Sequence, residues 1–141
     1  MESQPGEAKE ELLLVLKAKN TTRTVKDFSP EGISLEDNFE GESTGVYNAS
    51  HYGTITVLIR PDGTNEYEVR QIDTTGDGDT ILLYFKGIST RETPAHNKFV
   101  GENTFQTAAK SLAWLNGIQA RHEGEYNPVT GIETLRVYGR R

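Results

Sequence analysis

The last 31 residues of the chain, residues 111–141, constrain its fold most strongly. Residues 111–124 read Ser-Leu-Ala-Trp-Leu-Asn-Gly-Ile-Gln-Ala-Arg-His-Glu-Gly, and residues 133–139 read Glu-Thr-Leu-Arg-Val-Tyr-Gly. This region holds the single Trp, a turn signal at Asn116-Gly117, a His within a strand pattern and the final strand. Short strands that follow one another this closely are typical of an antiparallel sheet, whose neighbouring strands need only a tight turn between them.

The same pattern of short strands and turns runs through the rest of the chain. Gly and Asp turn signals occur at Pro61-Asp62-Gly63 and at residues 76–79. A loop is predicted over residues 89–98, where periodicity is missing, and one short helix over residues 107–116. The predicted strands are 11–25, 33–47, 52–60, 66–72, 80–87, 98–106, 117–125 and 132–140.

These elements predict an all-β fold. Strands and helices do not alternate, which argues against a parallel sheet. We expect a closed or nearly closed antiparallel β-barrel of eight or nine strands with one short helix, and a β-sandwich is the alternative. A barrel of about eight strands can hold one small ligand. Residues 1–10 are predicted to be a flexible acidic tail, and residues 11–141 a single domain.

Composition narrows the classes of function. The net charge of −6 argues against nucleic-acid binding, which needs a basic surface. The chain has no cysteine, which excludes disulfides and thiol catalysis. No apolar run is long enough to span a membrane, and no signal peptide is recognised, so the expectation is a cytoplasmic protein without a membrane partner.

Several motifs resemble known barrel families. Leu112-Ala-Trp-Leu-Asn116 and Arg136-Val-Tyr138 resemble the ending of a bacterial family of small barrels of unknown function, whose members carry Tyr at the first of these positions. Residues 74–79 resemble the mid-chain turn of that family. The spacing of Gly101, Phe105 and Gly124-x-Tyr126 is similar to that in calycin-like barrels of the allene oxide cyclase type. Both resemblances imply a barrel and carry over no catalytic residue.

No metal or cofactor site is predicted. The three histidines, His51, His96 and His122, are not spaced as metal ligands, and no phosphate-binding loop is present. Residues 73–80 superficially suggest a calcium loop, but the ligand positions and the flanking strands do not match an EF-hand. A hairpin turn explains their Asp and Gly residues better.

Three residues are candidates for catalysis. His122 shares its strand alternation with Ile118 and Ala120, which directs the imidazole towards the lumen, where it could act as a general acid or base. The alternative is a core histidine that is hydrogen-bonded to a neighbour. Arg70 together with Tyr84 or Tyr67 is predicted to stabilise a developing oxyanion.

Five further residues are candidates for ligand binding: Tyr47, Tyr67, Trp114, Glu68 and Asn116. The aromatic residues could wall an apolar pocket with polar tips, although such residues are more often plain core. Glu68 and Arg70 would line the cavity if Tyr67 and its strand-mates faced outward; otherwise these charges form a solvated outer face.

These residues suggest a small-molecule-binding barrel. The sharper hypothesis is a cofactor-free isomerase or cyclase that acts on a hydrophobic, carbonyl-bearing compound by orienting it and supplying an acid or base. The alternatives are a non-catalytic carrier of the same ligand class and a structural barrel with a filled lumen. Open barrel ends and exposed strands also make a homodimer plausible.

Overall fold

A computed structural model describes residues 9–141 of the chain and contains a closed barrel of eight antiparallel strands. Each strand pairs with its neighbours in sequence, and β1 pairs with β8 to close the barrel. A 3-10 helix, Lys110–Gly117, lies between β6 and β7. The strands are β1 (Glu11–Ser29), β2 (Gly32–Gly45), β3 (Ala49–Ile59), β4 (Thr64–Thr75), β5 (Thr80–Thr93), β6 (His96–Thr107), β7 (Ala120–Asn127) and β8 (Ile132–Gly139).

The predicted fold class is confirmed, but the predicted loop over residues 89–98 is wrong. Strands β5 and β6 continue through this region and turn only at Pro94-Ala95. Thr90 pairs with Lys98 in the ladder between them. Both faces of this hairpin are exposed to solvent near its tip. Backbone hydrogen bonds hold the two strands together there, and since neither face is buried, the sequence shows no alternation of apolar and polar residues.

The predicted tail falls mostly outside the described residues. Of residues 1–10, the structure describes only Lys9 and Glu10, and the carboxylate of Glu10 lies 2.8 Å from Nη2 of Arg121. Strand β1 then begins at Glu11.

The 3-10 helix closes one end of the barrel, which we call the closed end. Its Leu112 and Leu115 are buried. The side chain of Asn116 anchors the helix to β6, because its Oδ1 accepts from the backbone N of Thr107 at 2.7 Å and its Nδ2 donates to the backbone O of Thr107 at 2.9 Å. The opposite end, where the four hairpins β1–β2, β3–β4, β5–β6 and β7–β8 turn, is called the open end.

Glycines make room for the rings inside the barrel. A Cβ added at Gly53 would lie 2.7 Å from Cζ of Phe39, and one at Gly124 would lie 2.7 Å from Cζ of Phe99. Rings that fold over cross-strand glycines fill the lumen and let the wall bend. The five inward glycine–ring pairs are Phe39–Gly53, Gly41–His51, Tyr67–Gly87, Gly101–His122 and Phe99–Gly124.

The apolar core is densest near the closed end. Its fully buried members include Leu14, Ile81, Leu115 and Val137, each with no exposed surface. Among residues 9–141, no helix is long and apolar enough to cross a membrane.

Candidate functional site

The lumen opens into a cavity of about 210 Å³ at the open end. Its walls are largely apolar, and the polar side chains on them come from strands on opposite sides of the barrel. An apolar pocket with a few converging polar groups is the usual form of a small-molecule site. The apolar walls are Leu35, Ile55, Val57, Ile59, Val69 and Phe99; the polar side chains are Asn20, Arg23, Asp37, Asn65, Tyr67, Ser89, Arg91, Asn97, Tyr126 and Glu133.

One side of the cavity carries an Arg–Asp pair. Arg23 and Asp37 lie directly opposite each other on β1 and β2. The guanidinium binds the carboxylate through two bonds, with Nε and Nη2 each 2.8 Å from a carboxylate oxygen. The Asp37 side chain is buried, and a bidentate bond with Arg is the arrangement that best supports a buried carboxylate. This hydrogen bond also raises the pKa of Arg23 above its usual value.

Tyr126 joins this pair from β7, which is separated from β1 by β8 alone. Its hydroxyl oxygen accepts from Nδ2 of Asn20 at 2.7 Å and from Nη2 of Arg23 at 3.3 Å. Because the oxygen already accepts two bonds, the hydroxyl hydrogen of Tyr126 is left to donate to something in the cavity. Burial raises the pKa of this phenol, so the hydroxyl stays protonated near neutral pH.

Glu133 stands next to Tyr126 as its cross-strand partner on β8. It follows the same alternation as the buried Leu135 and Val137, which directs its carboxyl group inward. Burial raises the pKa of Glu133 to about 7, and the negative charge of Asp37 adds to the effect. A carboxyl group with a pKa near neutrality can either take up or give up a proton at physiological pH.

Tyr67 and His122 meet beneath the cavity. The Tyr67 hydroxyl and the Nε2 atom of His122 are 2.6 Å apart. The two residues belong to one cross-strand row that runs Tyr67, Gly87, Gly101, His122 through β4 to β7. The two glycines between them carry no side chain, so the ring of Tyr67 and the imidazole of His122 reach across the gap and touch.

Protonation in this pair is fixed by burial. Desolvation lowers the pKa of His122 to about 4 and raises the pKa of Tyr67. At neutral pH the imidazole is therefore uncharged. The Nδ1 atom of His122 faces Oδ1 of Asn103 at 3.4 Å. The predicted inward orientation of His122 is confirmed, but it lies behind Tyr67 and does not line the cavity.

The closed half contains a separate set of buried polar residues. Asp73 accepts from the Tyr47 hydroxyl and from Nε2 of Gln71, each at 2.7 Å. Ser43 Oγ and His51 Nδ1 are 2.9 Å apart. None of these side chains lines the open-end cavity, so Tyr47 belongs to the packed interior. In the described part of the chain, no three His, Asp or Glu side chains cluster as metal ligands would.

Three of the predicted site residues lie on the outer face of the barrel. Tyr67, not its charged neighbours, faces the lumen, so the expectation that Glu68 and Arg70 line the cavity is wrong. The Arg70 guanidinium does meet the Tyr84 ring, at 5.3 Å from its centroid, but this contact is outside the wall. Arg70 and Glu68 are 71% and 52% exposed and lie 3.6 Å apart.

Two further predicted residues lie at the closed end. Trp114 is half-buried on the 3-10 helix, and the guanidinium of Arg141 stacks 4.4 Å from its ring centroid. Asn116 anchors the same helix. Of the predicted site residues, the structure brings Tyr67 and His122 together inside the barrel, whereas Arg70, Glu68 and Tyr84 meet on its outer face.

Two carboxylates of the cavity were missed in the sequence analysis, although the sequence contains a signal for them. Asp37 alternates with Leu35 and Phe39, and Glu133 alternates with Leu135 and Val137. A carboxylate that takes the place of an apolar residue on the buried face of a strand is an unusual and informative residue. Its partner, such as Arg23 for Asp37, depends on the strand register.

Comparison with known proteins identifies the architecture. No family model matches the chain, and no curated protein shows significant sequence similarity to it. The resemblance of residues 112–116 to a family ending is thus without support from a family model.

Solved structures share the whole fold. A protein of unknown function from Clostridium acetobutylicum ATCC 824 aligns over 98% of this chain and 100% of its own, with a TM-score of 0.85 and 18% identity. A beta-barrel like protein from Acinetobacter baumannii AYE aligns over 99% of this chain and 100% of its own, with a TM-score of 0.79 and 17% identity. An enzyme from Penicillium herquei aligns over 98% of this chain and 99% of its own, with a TM-score of 0.68 and 20% identity. The chain is therefore similar in fold to small β-barrel proteins, among them proteins of unknown function.

Proposed function

We propose that the open-end cavity binds a small, largely hydrophobic carbonyl compound and catalyses its isomerisation or cyclisation without a cofactor. The single observation that carries the proposal is the meeting, in one apolar cavity, of an oxyanion-binding group and an acid–base group: Tyr126, with Arg23 behind it, and Glu133. The cavity is smaller than the roughly 300–1,000 Å³ of sites for drug-sized ligands, which favours a compound of one or two rings.

Glu133 supplies the base in this proposal. Its carboxylate removes a proton from the carbon next to the ligand carbonyl, the C–H electron pair forms a C=C bond, and the carbonyl π electrons move to oxygen. When the ligand is a β,γ-unsaturated ketone, the enolate is conjugated with the second C=C bond. Glu133 then returns the proton to the γ carbon, the oxygen lone pair re-forms the C=O bond, and the C=C bond ends between the α and β carbons, which gives the isomer. A base with a pKa near 7 is ionised often enough, and still basic enough, for this step at neutral pH.

Tyr126 stabilises the negative oxygen that forms. Its hydroxyl hydrogen is uncommitted, while Asn20 and Arg23 both donate to its oxygen. These two bonds strengthen the hydroxyl as a donor, because they stabilise the partial charge that Tyr126 takes on. A donor fixed in place before the reaction is the arrangement that lowers the barrier for oxyanion formation.

His122 acts through Tyr67 as a positioning residue. The bond between them holds the Tyr67 ring at the bottom of the cavity. The solved enzyme from Penicillium herquei is compatible with catalysis in a barrel of this shape, and the likeness to allene oxide cyclase-type barrels favours a cyclisation or isomerisation. Both points support the proposal by fold analogy alone.

The test uses 2-indanone, a two-ring ketone, dissolved in D₂O at neutral pD. Exchange of its α-hydrogens for deuterium reports the proposed proton abstraction and is followed by ¹H NMR. We expect the protein to accelerate exchange above the buffer rate, and Glu133→Gln to lose roughly 100-fold of the acceleration. Glu125→Gln is the matched control, since Glu125 lies on the outer face of the adjacent strand, 3.6 Å from Arg136.

Native mass spectrometry, together with the exchange assay, distinguishes an enzyme from a non-catalytic ligand carrier. A retained organic ligand without exchange activity on 2-indanone would favour the non-catalytic carrier. The proposal would be contradicted if the protein retained no ligand, did not bind 2-indanone and did not accelerate exchange. Val57→Trp, which fills the cavity, should abolish binding, whereas Thr56→Trp on the outer face of the same strand should not.

A further inference from the structure

The side-chain oxygens of three asparagines in the cavity have no part in the proposed reaction. Asn20, Asn65 and Asn97 come from β1, β4 and β6 and line the same open-end cavity. In each, the Oδ1 atom is buried and accepts no hydrogen bond from residues 9–141. Buried carboxamide oxygens nearly always have a donor. Three such oxygens around one cavity indicate that the donors arrive with what fills it.

The orientation of Asn20 is fixed by its neighbours. Its Nδ2 atom lies 2.7 Å from the Tyr126 hydroxyl and 3.4 Å from a carboxylate oxygen of Asp37. A carboxylate can only accept, so the amide nitrogen must face Asp37 and the amide oxygen must face away from it. The unpaired atom of Asn20 is therefore an acceptor.

Asn65 and Asn97 are held more deeply. They are only 8% and 7% exposed. Asn65 is anchored by one end, where its Nδ2 donates to Oγ of Ser89 at 3.2 Å. Its other end is left unpaired. Asn65 lies on β4, and Asn97 on β6 is the direct cross-strand partner of Tyr126. Their acceptors therefore reach a ligand from two sides of the cavity.

The charges of the cavity argue against an ionic ligand. The guanidinium of Arg23 is committed to Asp37 and Tyr126, which leaves little of it for an anion. Arg91 is an exposed residue on the cavity lining. These two arginines also disfavour a cation. The remaining class of donor-bearing ligand is an uncharged one.

Unpaired polar atoms also occur in the closed half, at Nε2 of His51 and Nδ2 of Asn103. Neither residue lines the open-end cavity. What distinguishes the three asparagines is therefore their shared position around a space that a ligand can enter.

We propose that the ligand of the open-end cavity is an uncharged ring compound that presents two or more hydroxyl groups as hydrogen-bond donors to Asn20, Asn65 and Asn97. The inference rests on the proposed function, since it takes the cavity to be a ligand site. It adds the class of compound: a hydroxylated ring rather than a plain hydrocarbon ketone, with its hydroxyl groups held by acceptors.

Three benzene derivatives of similar shape test this inference. 1,3-Dihydroxybenzene donates, 1,3-dimethoxybenzene only accepts, and 1,3-difluorobenzene does neither to a useful extent. Dissociation constants come from ¹H–¹⁵N NMR titrations that follow the amides of Val57, Tyr67 and Phe99. We expect the dihydroxy compound to bind at least roughly tenfold more tightly than either of the others, because only it satisfies the unpaired acceptors.

Substitutions of single asparagines test which residues produce the preference for the dihydroxy compound. Asn65→Leu and Asn97→Leu keep the side-chain size and remove an acceptor, so each should weaken dihydroxybenzene binding by roughly fivefold or more and leave dimethoxybenzene binding nearly unchanged. Asn38→Leu, on the exposed face of β2, is the control and should change neither. The comparison of the three compounds on the unaltered protein stands even if a variant folds poorly.

The outcomes separate the two proposals. Equal binding of all three compounds, or tighter binding of the dimethoxy compound, would overturn the hydroxyl-donor inference and leave the cavity as a ligand site. Failure of all three to perturb the lining amides at millimolar concentration would overturn the ligand site itself, and the inference with it.

Discussion

The two halves of the barrel are built from the same eight strands and differ in what fills them. In the closed half, the leucines of β1 and the 3-10 helix fill the lumen, and Asp73 has donors from Tyr47 and Gln71. In the open half, a cavity remains, and three asparagine oxygens lack donors. The strands alone thus determine a tube. The short helix between β6 and β7 determines which end is packed for stability and which is left to bind.

The largest expected difference between the halves is in how much free energy of unfolding is lost when an isoleucine is replaced by alanine. Ile81, with no exposed surface, lies in the closed half, and the partly exposed Ile59 lies on the cavity wall. Ile81→Ala should lower the free energy of unfolding by about 2–5 kcal/mol, because a void forms among packed neighbours. Ile59→Ala should cost less than about 1.5 kcal/mol, since one side of it already faces a void. Urea denaturation measures both, and equal losses would contradict the comparison.

The glycine row between the halves should be intolerant of any side chain. A Cβ at Gly101 would lie 2.7 Å from Cε1 of His122 and would collide with the backbone O of Lys86. Gly101→Ala should therefore destabilise the fold by about 1–3 kcal/mol through overpacking. Gly117→Ala is the control, since nothing lies within 4 Å of its added Cβ, and it should be near neutral. A thermal shift as small as that of the control would show that the row can relax.

The open half should also carry a pH dependence of stability through Glu133. Its folded pKa of about 7 is raised from 4.5, so the folded state holds the proton more tightly than the unfolded state. Stability from this group is fully present below pH 4.5 and is lost as the pH rises through 7. Glu133→Gln should therefore be more stable than the unaltered protein by about 1–3 kcal/mol at pH 8 and about equal to it at pH 4.5. Urea melts at the two pH values test this, and an identical difference at both would contradict the assignment.

The smallest effect is expected on the outer face, which belongs to neither half of the lumen. Arg70 is 71% exposed and pairs only with Glu68 and the Tyr84 ring. Arg70→Ala should change the free energy of unfolding by less than about 0.5 kcal/mol and leave 2-indanone exchange unaltered. A loss of exchange activity would return Arg70 and Tyr84 to the list of functional residues.

The barrel could be predicted from the sequence because its signals are local. Alternation over five to eight residues and Gly-rich turns define most strands of the barrel without reference to distant residues. Alternation yields two faces for each strand and does not say which faces inward. On β4 one face holds Tyr67, Val69 and Asp73, and the other holds Glu68, Arg70 and Ile72. Both are mixed in polarity, so the choice between them depends on the closed barrel.

The cavity could not be predicted because it depends on contacts between distant strands. The Arg23–Asp37 pair needs the register of β1 on β2, and the bond from Asn20 to Tyr126 joins residues 106 positions apart. His122 could be oriented from its apolar neighbours, but the two-glycine gap that lets it meet Tyr67 is set by three strand registers at once.

The pairing of β1 with β8 has a consequence for how the molecule is made. Most ladders join strands that are adjacent in sequence, while this one joins Glu11 to Gly139. During synthesis, the growing chain can build hairpins from its start, yet β1 and the latest strand to emerge present unpaired edges until β8 leaves the ribosome. Such edges invite association with other chains. Pairing of the eight-residue strand β8 therefore ends the period in which the nascent chain is most prone to aggregate. Substitutions that weaken β8 should first show themselves as insoluble protein.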